Sequence, residues 1–307
     1  MGKEREIKVR MKAVANIRRI TNTMQMIATA RFQSALRRAT SAKPYTQMIA
    51  GLVGELSAAA TSGGGGNSGG GGGEGSLDHP LLHAPPAAVG KQLMLVVTSN
   101  RGLCGAYNGN VLRRATRALK ESEGGVRLEV AGKKGLAYFR YTGREVSQFH
   151  SQLGDQPSFR DAQALADRYI AEFSAGTYDR VSVVYMAFES VARQKPDVLT
   201  LLPLEPPRKQ EQGKAKRAPG VQPIYEFSPD PKLLLNELLP ATVRTQLFQC
   251  FNEATVGEQV ARMVAMKAAT DAAGKMGKRL TRQYNRARQT AITTELTEII
   301  GGAAALA

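Results

Sequence analysis

Two stretches at opposite ends of the chain carry apolar residues at helical spacing. Each stretch predicts a single helix of roughly 85–90 Å, and neither helix can bury its apolar stripe alone. We therefore expect the two helices to pair as an antiparallel coiled coil. The stripe residues are Ile7, Met11, Val14, Ile17, Ile20, Met24 and Ile27 within residues 4–60, and Ala272, Met276, Leu280, Tyr284, Ala287 and Ala291 within residues 231–300.

Between these stretches, short segments with the apolar pattern of strands alternate with short segments that have the pattern of helices. The apolar run at residues 93–97 is typical of a buried parallel strand. Strands alternating with helices predict a doubly wound parallel sheet, so the predicted fold class is α/β, a central Rossmann-like domain joined to a long coiled coil. The predicted elements are strands at 93–97, 126–131, 181–186 and 198–202, with helices at 108–121, 134–141 and 159–173.

Two polar tracts complete the domain organisation. Ten of the fourteen residues in 62–75 are Gly, which is typical of a flexible loop, and residues 206–223 are rich in Pro, Lys and Gln. The predicted segments are an N-terminal coiled-coil helix at 1–61, a Gly/Pro-rich inserted loop at 62–90, an α/β foot domain at 91–230 and a C-terminal coiled-coil helix at 231–307.

Charge is concentrated near the ends of the chain. The 307 residues are 42% hydrophobic and 22% charged, which is globular composition, and 42 Lys and Arg oppose 26 Asp and Glu. The excess lies in residues 3–43, 208–217 and 258–298, so we expect an acidic partner. A basic coiled-coil scaffold that binds nucleic acid is the alternative, although 6% aromatic residues and no Trp are poor for that purpose.

Candidate chemistry in the middle of the chain is weak. Cys104 follows the first strand, as some nucleophiles do, but the only histidines, His79, His83 and His150, lie in no recognisable catalytic motif. His79 and His83 with Asp78 form a loose metal-type cluster among prolines, short of the four ligands that structural zinc takes. No P-loop is present, no cofactor is expected, and no apolar run approaches the roughly 20 residues that cross a bilayer.

Several blocks of the sequence, taken together, resemble the gamma subunit of F-type ATP synthases. They follow one another in the same order as in that family and extend over nearly the whole chain. The blocks are residues 17–28, residues 99–105 with Asn108, residues 225–231, and residues 258–271, 284–289 and 292–300.

The resemblance implies a non-catalytic rotor shaft, present in one copy per complex. Its coiled coil would stand inside a ring of three alpha and three beta subunits, and its foot, with the epsilon subunit, would rest on the membrane ring of c subunits. The start of the sequence has no transit-peptide character. We therefore expect a peripheral protein on the cytoplasmic face of a bacterial inner membrane.

The resemblance also assigns roles to individual residues. A hydrogen-bonded catch on the beta subunit near the helix tip would use Arg262, Gln289 and Thr293. Further shaft contacts would be Arg18, Arg19, Met24 and Arg288, and the foot surface facing epsilon and the c-ring would include Tyr225, Glu226 and Asp230. One departure lies at Asn100, where the family usually has Asp; the extended tracts at 62–75 and 208–217 are two others.

Overall fold

The computed structural model describes residues 2–62, 79–83, 85, 90–122, 124–153, 157–204 and 231–306. Most of the Gly-rich tract, Asp78, the basic loop at 208–217, and Tyr225, Glu226 and Asp230 lie outside the described residues. The elements in chain order are α1 (Gly2–Ser62), β1 (Lys91–Val97), α2 (Tyr107–Glu121), β2 (Gly125–Ala131), α3 (Lys133–Tyr141), β3 (Gln148–His150), α4 (Phe159–Ser174), β4 (Arg180–Phe188), β5 (Gln194–Leu202) and α5 (Pro231–Leu306).

The chain divides by packing into two compact units. The helix-pair unit contains α1 up to Phe32, the short segment Leu103–Gly105, and α5 from Gln259 onward. The sheet unit contains the remainder, Gln33–Gly102 and Ala106–Glu258. Both terminal helices therefore contribute to both units. This division follows packing, and the four segments predicted along the sequence stay a prediction.

Contacts within the helix-pair unit run in opposite directions along α1 and α5. Thr270 Oγ1 donates to Thr21 Oγ1 at 2.8 Å. One turn earlier in α1, the Arg18 guanidinium lies beside Gly274, with its Nε 3.7 Å from the position of a Cβ there. Residue numbers thus rise along one helix as they fall along the other, and the predicted antiparallel pairing is confirmed.

The buried seam of α1 follows only part of the stripe predicted from its large apolar residues, since Ile7, Met11, Val14 and Met24 are partly buried. Ile17, Ile20 and Ile27 are 52%, 57% and 50% exposed, whereas Thr21 and Ala28 are 9% and 1% exposed. The prediction that these isoleucines pack in the seam is therefore wrong. A coiled-coil seam repeats every seven residues, and spacings of mostly three drift off it. Around Thr21 and Ala28 the seam consequently holds small and polar residues, while the three isoleucines face outward.

The sheet unit is built on a five-stranded sheet of order β3-β2-β1-β4-β5. The pairs β1–β2, β1–β4 and β2–β3 are parallel, which confirms the predicted fold class. The last strand differs from the prediction of a parallel sheet, because β5 pairs with β4 antiparallel. Only residues 189–193 connect them, too few for the crossover that a parallel pair requires. Strand β3 was not predicted, since three residues carry no readable periodicity.

One face of the sheet is covered by α4 and by the first part of α5. Tyr169 and Phe173 of α4 are fully buried there, and Ile49 of α1 joins the same cluster. On the scale of about 25 cal/mol per Å² of apolar surface, burial of this kind is the main source of stability. Helices α2 and α3 contact the strands as well. The α5 contribution to the core consists of Leu239, Val243, Leu247, Cys250, Phe251 and Ala254.

None of the helices within the described residues combines the length and apolar character needed to cross a bilayer.

Candidate functional site

The C-terminal turns of α5 expose both polar and apolar side chains. Gln289 and Thr293 are exposed one turn apart, and Thr293 Oγ1 donates to the Gln289 carbonyl oxygen at 2.9 Å. Their positions four residues apart place both side chains on one face of the helix. Ile299 and Ile300 are 68% and 60% exposed, and no charge follows Glu298. The end of α5 therefore offers a partner an uncharged surface after Glu298, and the polar side chains of Thr293 and Gln289 lie one to three turns before it.

Arg262 lies in a different environment from these two residues. It is 7% exposed, and 27 positions of the same helix separate it from Gln289, which corresponds to roughly 40 Å. The structure therefore does not bring Arg262 together with Gln289 and Thr293, and the expectation that all three lie near the tip is corrected. A joint role would require separate contacts with a partner.

The predicted contact residues of α1 form a basic surface with apolar neighbours. Arg18 and Arg19 are exposed, and Arg19 donates to Asn16 Oδ1 at 3.3 Å. Met24 is half-buried beside the seam. Because the isoleucines beside these arginines are also exposed, the surface offers both positive charge and apolar area. Arg288, on α5, is exposed as well.

A groove of about 710 Å³ lies along the helix pair. Its floor includes Val14 and Leu280, and its rim carries Arg10, Lys275 and Arg279. A surface with an apolar floor and a positive rim complements an acidic, amphipathic partner. It is consistent with the acidic partner that the charge distribution predicts.

Thr98 and the block that follows it, residues 99–105 with Asn108, hold the strand ends and helix starts together. The Thr98 hydroxyl donates to the Ala131 carbonyl at 3.0 Å and accepts from the Gly135 N–H at 3.0 Å. The Asn108 side-chain oxygen accepts from the Ser99 N–H at 3.0 Å. These bonds join β1 to β2, α3 and α2, so the polar residues of this block have structural roles.

Gly132 and Cys104 fit the same interpretation. A Cβ on Gly132, whose φ is +101°, would lie 2.2 Å from the Thr98 carbonyl oxygen, so only Gly is accommodated. Cys104 is buried in a turn where Leu103 and Gly105 have φ of +63° and +55°. A buried thiol in a left-handed turn is a packing residue, and the interpretation of Cys104 as a nucleophile has no support.

Asn100 has a definite structural task. Its Oδ1 accepts from the Lys133 N–H at 3.1 Å, which satisfies a backbone donor at the start of α3. We expect Asn100→Ala to lower the free energy of unfolding by about 1 kcal/mol, the usual cost of losing such a cap. Asn100→Asp keeps the acceptor and adds a favourable charge at a helix N-terminus, so it should be neutral or slightly stabilising.

Urea unfolding of the purified chain at pH 7 measures both changes. Equal destabilisation by Asn100→Ala and Asn100→Asp would show that the cap contributes nothing, and that the amide nitrogen matters instead.

A buried polar cluster that sequence reasoning missed surrounds Glu129 on β2. The Glu129 Oε2 atom accepts from His150 Nε2 at 2.7 Å, from Arg168 at 2.6 Å and from the Tyr169 hydroxyl at 2.8 Å. Burial alone would raise the pKa of Glu129, but these hydrogen bonds and the Arg168 charge outweigh it and hold the pKa below its ordinary value. The cluster ties β2, β3 and α4 together around one carboxylate.

Two of the three histidines, His79 and His150, take part in local structure. His79 Nδ1 accepts from the Leu81 N–H at 3.1 Å, and His150 is engaged with Glu129. Within the ranges that the structure describes, no three His, Cys, Asp or Glu side chains group in a way that could hold a metal ion.

Comparison with known proteins agrees with the resemblance. The family model described as ATP synthase matches residues 3–306. The ATP synthase gamma chain of Rhodopirellula baltica is 40% identical over all of this chain and 99% of its own length. That of Leptospira biflexa is 37% identical over the full length of both chains. A chain of the Euglena gracilis mitochondrial ATP synthase structure has a TM-score of 0.63 at 19% identity, covering 99% of this chain and 95% of its own, which indicates a shared fold.

The family model over nearly the whole chain shows a subunit of the ATP synthase class, and the two long terminal helices with a Rossmann-like sheet unit agree with it. Within that class, the chain belongs to the gamma-chain family. The match to this family over nearly the whole chain leaves the nucleic-acid-binding alternative without support.

Proposed function

We propose that this chain transmits ion-driven rotation of a c-ring to a catalytic ring of three alpha and three beta subunits, and runs in reverse during ATP-driven ion pumping. One copy would serve each complex, with an epsilon subunit beside the sheet unit. The observation that carries the proposal is that α5 is one helix belonging to both compact units of a gamma-family chain. A single helix shared by two units provides a covalent path for torque between them.

The surfaces of the helix pair suit a rotor that treats three identical subunits differently. The groove lined by basic residues and the exposed isoleucines give the shaft distinct surface features, which the subunits around it would meet in turn as the shaft rotates. The uncharged end of α5 would turn against an apolar collar without breaking directional bonds. We propose tip contacts for Gln289 and Thr293 and a separate contact for Arg262. The proposed shaft contacts stay Arg18, Arg19, Met24 and Arg288.

The chain itself would be non-catalytic, with the chemistry on the beta subunits. The burial of Cys104 and the engagement of His150 with Glu129 support this assignment. We further propose a peripheral location on the cytoplasmic face of a bacterial inner membrane, where Tyr225, Glu226 and Asp230 would face epsilon and the c-ring. Fractionation of cells would test the location, with membrane association that depends on the c-ring as the expected result.

Reconstitution tests the proposed function directly. The purified chain is mixed with alpha and beta subunits of the same organism, and the mass and ATP hydrolysis of the product are measured. We expect a complex with three alpha, three beta and one copy of this chain that hydrolyses ATP. A folded chain that never joins competent alpha and beta subunits would overturn the proposal.

Met24→Lys tests the predicted shaft contact. The side chain is half-buried, so a lysine can extend its amine to solvent and should cost little stability. The lysine would remove an apolar side chain from the contact with the ring and place a charge there, and we expect fewer ions pumped per ATP in the complete complex. Met48→Lys, an exposed position of α1 within the sheet unit, is the control. Equal pumping per ATP in Met24→Lys and the parent would refute the contact.

A further inference from the structure

The strand order of the sheet unit has a switch point, the place where Rossmann-like folds usually hold a ligand. Strand β1 lies between β2 and β4, and the chain leaves β1 in one direction while β4 and β5 extend the sheet in the other. At such a switch point, the carboxyl ends of the two central strands leave a gap. Here residues 253–257 of α5 contact the end of β4 and the start of α2.

Two hydrogen bonds fix α5 in this position. The Tyr107 hydroxyl, from the first residue of α2, donates to the Ala254 carbonyl oxygen at 3.1 Å, and Tyr107 is buried. The Phe188 N–H, at the end of β4, donates to Glu253 Oε2 at 3.2 Å. The other Glu253 oxygen accepts from Gln249 Nε2 at 3.0 Å, which orients the carboxylate. One carboxylate thus joins the helix to the backbone of the central sheet.

Gly257 lies where α5 packs closely against Met186 of β4 and Tyr107 of α2. A Cβ at this position would lie 3.1 Å from Met186 Cγ and 3.6 Å from Tyr107 Cε2. A Gly inside a helix costs about 1 kcal/mol relative to Ala, so local propensity does not explain it. The contrast with Gly277 is direct, because a Cβ there would meet nothing within 4 Å. A side chain at 257 would force Met186 to shift by a few tenths of an ångström, so the glycine favours the close approach of α5 to β4.

We propose that Gly257, Glu253, Met186 and Tyr107 form a rigid joint that passes torque between the sheet and α5. The joint lies at the last turn of α5 within the sheet unit, and the same helix continues from Gln259 into the helix-pair unit. Gly257 and Glu253 act as positioning residues: they fix the angle of the helix about its own axis relative to the sheet. This inference rests on the proposed rotor function.

A wedge at the joint tests the proposal. In Gly257→Val, the added methyl groups would push α5 away from Met186, and rotation of the sheet would no longer be transmitted fully. In complexes whose assembly has been verified by mass, we expect ATP hydrolysis to stay within about twofold of the parent while ions pumped per ATP fall by about threefold or more. Met186→Ala in the same chain should restore pumping, since it empties the space that the valine enters.

Gly277→Val is the matched control, a Gly to Val change in the same helix at an open position, and it should keep its pumping ratio. Unchanged pumping per ATP in Gly257→Val, or an equal loss in Gly277→Val, would overturn the joint. Failure of all variants and of the parent to assemble would instead count against the proposed function.

An engineered disulfide gives a second test, which does not depend on whether the chain folds and assembles with Gly257→Val. The Cβ position at 257 lies 3.5 Å from Met186 Cβ, within the range of about 3.5–4.5 Å that disulfides span. A Gly257→Cys and Met186→Cys chain can therefore be locked by oxidation. A joint that stays closed through each turn should pump equally well oxidised and reduced. Loss of pumping on oxidation, restored by reduction, would show that the joint opens during turnover and would contradict the proposal.

Discussion

Glu129→Ala should lower the free energy of unfolding of this chain by about 3 kcal/mol. Removing one partner of a buried ion pair usually costs about 3–5 kcal/mol because the other charge is left unpaired. The lower end of that range applies here, since the Arg168 side chain is 28% exposed and can be partly hydrated. His150 and Tyr169 would also lose their common acceptor. Urea unfolding at pH 7, monitored by circular dichroism, measures the change.

The same experiment has a pH dependence with a definite sign. The folded pKa of Glu129 lies below its ordinary value of 4.5, so its contribution is complete above that pH and is lost as the pH falls through the folded pKa. The parent should therefore lose more stability below about pH 4.5 than Glu129→Ala does. Glu121→Ala is the control, because Glu121 pairs with Arg114 at 3.5 Å on the surface, where such pairs contribute little. Parallel pH profiles in parent and Glu129→Ala would contradict the account.

Changing Gln289 and Thr293 together to Ala should reduce ATP turnover of the assembled complex roughly tenfold, at about 0.5–1.5 kcal/mol for each lost hydrogen bond. Both side chains are exposed in this chain, so the thermal stability of the isolated protein should not change. Turnover is measured in purified complexes of equal composition. Thr281→Ala, which loses only an exposed bond to the Gly277 carbonyl, is the control.

Arg262→Ala requires a separate interpretation, because Arg262 is buried. The sequence resemblance predicts impaired turnover without loss of stability, whereas burial predicts that stability falls as well. Measuring turnover and unfolding on the same preparation separates the two effects. Parent-like turnover in both the Gln289 and Thr293 double variant and Arg262→Ala would refute the proposed catch.

The terminal helices were predictable because periodic apolar residues extend over dozens of positions. The location of the seam was not predictable from hydropathy. Ile17, Ile20 and Ile27 are the more hydrophobic residues, whereas Thr21 and Ala28 are the ones buried between the two helices. Hydropathy measures how strongly a residue favours burial, whereas its position in the seven-residue repeat decides whether it faces the partner helix.

The sheet illustrates a signal that was present in the sequence and one that was not. The predicted strands at 181–186 and 198–202 have no helix between them, which already favours an antiparallel pair. Glu129, by contrast, lies in an ordinary strand pattern, and its partners come from β3 and α4, 20 to 40 positions away.

The candidate site shows the same division. The separation of Arg262 from Gln289 followed from 27 positions of helix and was available from the sequence. The sequence shows Gly257 as a residue that lowers helix propensity. The close approach of Met186 to this position is known only from the three-dimensional structure.

The most direct test of the central claim is to watch this chain turn. Alpha and beta subunits are assembled with the chain and fixed to a surface, and a bead is attached to the sheet unit through a cysteine replacing the exposed Tyr141. During ATP hydrolysis the account predicts continuous rotation in one direction, in three equal steps per turn. A bead that only fluctuates about a fixed angle while the same complexes hydrolyse ATP would contradict the rotor function.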